Sequence, residues 1–284
     1  MKQFLYILIL VLPLSLVAQR KALEELQRQG PGLEKTAGIV DRTGGTHDKS
    51  NIRHFFENRG KLYPRRVSDG PDGEWPANSK REYIYRAAPY VGIPGNVIQG
   101  RFTTNEEWEA MGGFHNPTQT GKLSPAFSDR PSTWPASGWP VKDEQGNPVI
   151  KSDQDSYCAY SDSNNTKGRL GIVVYQTGYA YGMKIARDML FFKFEIVNVG
   201  PVQRDSLYFG LYADVDVGNI SGGDPEWGDD KAGFDKDRRL MYFYDGDGKT
   251  TEWPGAPPGY FGFAFLATPQ QKGITDFHYM LYDD

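Results

Sequence analysis

The sequence has one cysteine, Cys158, and only four histidines. One cysteine cannot close a disulfide within the chain, so the fold must rest on its core, and Cys158 is expected to serve as a small buried hydrophobe. His47, His54, His115 and His278 are scattered, without the spacing of a metal pair or a triad base. There is no Gly-x-Ser-x-Gly elbow, no His-Glu-x-x-His pair and no phosphate-cradling glycine loop. The common hydrolase, metalloprotease and nucleotide-binding signatures are therefore missing. Positive charge is also short: 32 Lys and Arg stand against 36 Asp and Glu, a net charge of -4. That is the wrong sign for a nucleic-acid face. The longest apolar run, residues 4–17, is shorter than the roughly 20 residues that span a bilayer. It follows Lys2 and is followed by Ala18 and Gln19, so residues 1–18 read as a signal peptide. After its removal no membrane span is expected, and the chain is expected to be secreted or held on the outer cell surface.

What is present is a β vocabulary. Of 284 residues, 38% are hydrophobic and 14% aromatic, ample for a packed core. The 33 glycines and 19 prolines favour turns over long helices. Residues 19–81 read as a polar, mostly irregular N-terminal segment, opened by a short helix over 19–35. Residues 82–284 read as a β-sandwich-like domain. Within it, 82–93 is expected to be a strand pair broken near Pro89, and 106–111 one helical turn. Strands are expected over 155–160, 170–182, 189–198, 240–244, 259–267 and 274–282. In 189–198, Leu190, Phe192, Phe194 and Ile196 share one face, with Lys193 and Glu195 on the other. Leu207, Phe209 and Leu211 share a face after the Gly200-Pro201 turn, which predicts a hairpin with 189–198. The fold class expected is mainly β: an antiparallel β-sandwich with a turn-rich N-terminal segment. The strand at the C-terminus, with no polar tail after it, suggests a truncated fragment.

The most unusual stretch runs from Asp205 to Gly248. Ten acidic side chains fall between Asp214 and Asp247, against four basic ones. Such a cluster must stay solvated, pair with the few cations, or share a metal ion, and hard oxygen ligands on loops suit Ca²⁺. Asp214 and Asp216 would point to one side if strand geometry persisted. Asp229 and Asp230 follow in a turn, then Asp235 and Asp237, whereas Asp245 and Asp247 read as turn residues. This is not an EF-hand: Gly218 and Asn219 fall where its acid and glycine belong, and Pro225 falls where its glutamate belongs. Trp134, Trp139, Trp227 and Trp253 lie beside Gly and Pro, where they plug a core edge or offer stacking faces to a sugar. Two alternatives to a non-catalytic module therefore remain open. One is a carbohydrate-binding module, with extracellular polysaccharide or another cell-surface protein as partner. The other is a glycoside hydrolase fragment with facing carboxylates.

Several phrases carry a family resemblance. They are Gly73-Glu74-Trp75-Pro76 followed by EYIYRAAPYVGI, then SDQDSYCAYSD, LGIVVYQTGYAYG, RDMLFFKFEIVNVG and LYFGLYADVDVGN. Asp229-Asp230-x-x-Gly233-x-Asp235 and YFYDGDG follow. Over about residues 51–269 the chain resembles large exported proteins that often end in a type IX secretion sorting domain. The resemblance implies that the acidic phrase is a loop between sandwich strands. It also implies that a metal role would fall on Asp214, Asp216, Asp229, Asp230 and Asp235. The sequence departs from that pattern in having no sorting domain by Asp284.

Overall fold

The computed structural model describes residues 6–10, 41–63, 70–98, 107–116, 125–165, 168–218, 226–250, 253 and 257–279. The expected helix over 19–35 lies outside them. The described residues form a mainly β protein built from antiparallel sheets in a sandwich.

The centre of the larger sheet is β8 (Gln154–Ser161), β9 (Ile172–Ala180) and β10 (Met189–Asn198), paired antiparallel in that order. The alternation in β10 does what its pattern implies. Leu190, Phe192 and Phe194 are buried, while Lys193 and Glu195 form an ion pair of 2.9 Å on the opposite face. Full burial of each such aromatic or aliphatic side chain contributes about 1.5–3 kcal/mol. The β8–β9 connection is clamped by Asp162, whose carboxylate accepts the N–H groups of Leu170, Gly171 (3.1 Å) and Ile172 (3.0 Å). Gly171 has φ +74 and packs directly on Gly200, where a side chain would collide with backbone.

Beyond this trio the sheet adds β12 (Lys231–Asp235), β13 (Leu240–Tyr244) and β14 (Tyr260–Ala267), successive antiparallel neighbours. Between β14 and β10 lies β1 (Tyr6–Leu10), paired parallel to both. The middle of the apolar run read as a leader is thus a strand of the sheet here. On the outer side of β8 are β6 (Glu109–Ala110) and β7 (Ala126–Phe127).

The opposing layer is smaller: β11 (Tyr208–Asp214), β4 (Arg86–Ile93) and β5 (Asn96–Ile98), all antiparallel. Phe209 of β11 packs on Phe194 of β10 at 5.4 Å and on Phe265 of β14 at 6.3 Å, which locks the two layers face to face. Trp108, fully buried, sits against Tyr160 and donates from Nε1 to the carbonyl of Pro89 at 3.3 Å.

Several expectations are corrected. β11 does not form a hairpin with β10. After Gly200-Pro201 the chain crosses to the other layer, because β10 is already flanked by β9 and β1 and the apolar face of β11 finds its partners across the core. Residues 82–93 are not a broken pair: one strand, β4, runs through Pro89, opposite Leu211. There its described neighbour is β11 alone, the edge setting in which proline is tolerated. Of the helical turn expected over 106–111, Glu109–Ala110 are a strand instead. The part of 274–282 that is described, 274–279, has no regular structure.

Residues 41–63 and 70–81 are not a separate appendage. β2 (Gly44–His47) and β3 (His54–Glu57) form a hairpin. Ile52, Phe56, Leu62 and Trp75 join the same buried cluster as β10 and β14. His47 stacks on Phe56 at 5.4 Å and bonds Ser156 Oγ at 2.9 Å, which ties the hairpin to β8. Cys158 is buried, as expected, and burial raises its pKa so that the thiol stays protonated.

Candidate metal centre

The acidic stretch is two structures, not one loop. β11 ends at Asp214 and continues as Val215, Asp216 and Val217, with both valines buried. A hairpin, β12–β13, then occupies 231–244. Its register pairs Asp235 with Leu240 at the tip and Lys231 with Tyr244 at the open end. The next positions out on the two arms are Asp230 and Asp245. The hairpin therefore sets two carboxylates opposite each other, an arrangement that like charges alone disfavour.

Asp229, Asp230 and Asp245 each offer a carboxylate oxygen, and the three oxygens lie within 4.8 Å of one another. The cluster is held from outside. Asp230 Oδ2 accepts the N–H of Val217 at 2.8 Å, and Asp229 Oδ2 accepts that of Asp247 at 3.0 Å. Asp245 Oδ1 accepts those of Gly248 and Lys249, the latter at 3.0 Å, which curls 245–249 into a turn. Gly246 permits the approach, since a Cβ there would overlap the carbonyl oxygen of Asp229. The remaining oxygens, Asp230 Oδ1 and Asp245 Oδ2, are buried with no hydrogen-bond partner, and Asp245 is only 6% exposed.

Electrostatics records the crowding. Burial raises Asp230 from 3.8 to about 8, aided by the charges of Asp216, Asp245 and Asp229. Asp216 rises to about 7, again chiefly by burial, with Asp214 adding to the rise and Arg86 opposing it. Asp245 is raised by burial and by Asp229. Behind Asp216 lies Asp72, 5% exposed, with Oδ1 unpartnered and its pKa held well up by burial, Glu82 and Asp216.

Of the residues expected to hold a metal, Asp229 and Asp230 meet in the cluster. Asp216 adjoins it electrostatically, and Asp214, hydrogen-bonded by Tyr212 Oη at 3.0 Å, stands next to Asp216. Asp235 does not belong. It lies at the other end of β12, roughly 16 Å along the strand from Asp230 at about 3.3 Å per residue. There it is bound by the Arg238 guanidinium at 2.5 Å. Asp245, expected only to make a turn, is a full member of the group. Its signal was the hairpin register; Asp72 carried none, being remote in sequence.

The tryptophans are not sugar platforms. Trp139 is fully buried, with Nε1 donating to Val149 O at 2.9 Å. Trp253 is buried against Tyr83 at 5.1 Å. Trp134 is half-buried, packed on Trp139 at 5.7 Å, with Nε1 donating to Phe127 O at 2.8 Å. The side chain of Trp227 lies outside the described residues. Apolar faces next to turns filled the core rim instead. Burial pushes His47 and His54 down to about 3 and keeps them neutral, in line with a structural role.

The fit to a cation can be checked on distance. Oxygens on opposite sides of a calcium ion, at about 2.4 Å each, stand about 4.8 Å apart, the span within which the three oxygens lie. The donor set is all carboxylate, which favours a hard cation over zinc or copper. Among known proteins, no family model, no curated protein and no solved structure matches the chain. Among the described residues, no helix is long and apolar enough to cross a membrane.

Proposed function

We propose that this chain is a non-catalytic, exported β module, secreted or displayed on the outer cell surface, whose acidic corner is closed by calcium. One observation carries the reading. Asp230 Oδ1 and Asp245 Oδ2 are buried acceptors without donors, beside a third carboxylate. Leaving such groups unmet costs about 1–3 kcal/mol each, more when charged, and a divalent cation satisfies them together. Asp229, Asp230 and Asp245 would hold the ion, and Asp216 would add negative potential behind them. The ion would supply positive charge and fix the open end of the β12–β13 hairpin. Export is supported by the leader-like residues 1–18 and by the resemblance to proteins with a type IX sorting domain.

The test is a thermal melt of the full chain in calcium against chelator. A ligand at a hundredfold excess over its Kd stabilises the folded form by about 2.7 kcal/mol, a rise in Tm of roughly 5–10 °C for a chain of this size. No rise at millimolar calcium would defeat the proposal.

A further inference from the structure

The larger sheet contains a contradiction of direction. β12, β13 and β14 alternate antiparallel, and so do β10, β9 and β8. β1 is parallel to both β10 and β14, so those two strands run the same way with one strand between them. In an alternating sheet, the strand between two like-directed neighbours runs opposite to both. The gap therefore has the geometry for an antiparallel strand, and the segment found in it points the other way. Its ladder with β14 slips register between Ile9 and Leu10, whereas the β10–β9 and β13–β14 ladders run without a break. Parallel pairing is also slightly weaker per residue.

The occupant is, moreover, part of the apolar run read as a leader. With it removed, the edges of β10 over 189–193 and β14 over 263–267 would face each other unpaired in the middle of a sheet. The chemistry of the missing strand can be read from its flanks. Leu190 and Phe263 flank one position, and both belong to the buried core. Phe192 and Phe265 flank the position two residues on. A strand apolar at alternate positions would close that row. Outside residues 4–17, no sequence beyond the described residues contains such a run: 64–69, 99–106, 117–124 and 219–225 are polar or glycine-rich.

We propose that the gap between β10 and β14 is a strand-acceptor site, filled in the exported protein by an antiparallel, alternately apolar strand of a partner polypeptide. The mode is β-strand addition, in which backbone pairing gives affinity and alternate side chains give selectivity. It rests on the export reading through loss of the leader, and it is independent of calcium.

The experiment uses the full chain, leader uncut, carrying Ile7→Pro and Ile9→Pro. Proline has no N–H to pair and is excluded from central strands, so the variant vacates the gap. The probe is a short synthetic peptide alternating Val and Thr between terminal lysines, spin-labelled at its N-terminus. Amide exchange over 189–193 and 263–267 is expected to quicken in the variant and to slow about tenfold or more when peptide is added. The label is expected to broaden signals near Lys193 and Ala267, the antiparallel direction. Broadening at Met189 and Phe263 instead would overturn the proposal. So would exchange that stays slow without peptide, since the sheet would then close by itself. Protection that depends on protein concentration would overturn it in favour of a second copy. As a second arm, saturating peptide added to the unaltered chain is expected to expose the amides of 7–9 while β10 stays protected. A variant that unfolds and is not restored by peptide, together with no displacement in this arm, also counts against the site.

Discussion

Asp230→Asn separates the electrostatic account of the acidic corner from a merely structural one. The amide keeps an oxygen for the Val217 N–H but removes the charge. In the folded chain Asp230 has its pKa raised from 3.8 to about 8. The folded form therefore holds a proton that the unfolded chain releases near 3.8. By linkage this stabilisation is complete below about pH 4 and is lost as pH rises through about 8. The full rise corresponds to at most roughly 6 kcal/mol, and to about 2–3 kcal/mol once water at a partly exposed carboxylate screens the charge. Asp216, raised to about 7, slopes the same way and remains in both proteins. In chelator at about pH 9, Asp230→Asn should therefore melt higher than the unaltered chain by roughly 5–10 °C, and the gap should shrink steadily towards pH 5. Calcium should reverse the order at pH 9, because the ion needs the ionised carboxylate and its binding releases protons. The assay is a set of melts across pH, with calcium and with chelator. If Asp230→Asn melts lower than the unaltered chain at every pH in chelator, the corner is not electrostatically strained and the argument fails.

Three other substitutions and measurements bear on the same picture. Asp235→Ala should leave the calcium response unchanged, because that carboxylate serves Arg238 at the hairpin tip; a lost response would place it back in the site. Gly246→Ala should lower stability by about 1–3 kcal/mol through collision with the Asp229 carbonyl, and should weaken calcium binding, read by titration calorimetry. Trp139→Ala should lower the denaturation midpoint by an amount equivalent to about 3–5 kcal/mol, since the ring is wholly enclosed. Cys158 should resist maleimide labelling in the native state and react once unfolded.

Much of the fold was legible because period-two patterning survives in single strands. β10 occupies the expected residues 189–198, and β13 the expected 240–244. What patterning cannot say is which strand a given strand adjoins. Leu207, Phe209 and Leu211 show that β11 has one apolar face, but that face suits a neighbour in the same sheet or a partner across the core equally well. The site divides along the same line. Asp229 and Asp230 are conspicuous by density. Asp245 becomes visible only when the β12–β13 register is counted outward from the tip at 236–239. Asp72 needs the tertiary structure, because the stretch around it meets 83–84 and 214–216 only after long-range pairing.

The pairing of β4 with β11 has a consequence for how the molecule is made. Arg86 lies opposite Asp214, so the smaller layer cannot be assembled until about 130 further residues have left the ribosome, roughly 6–25 seconds at ordinary synthesis rates. Loop closure over such a distance is slow in any case. Throughout that interval the first half of the polypeptide has no lid for its aromatic side chains and stays pliable. That state suits a chain threaded through a translocation channel before it collapses.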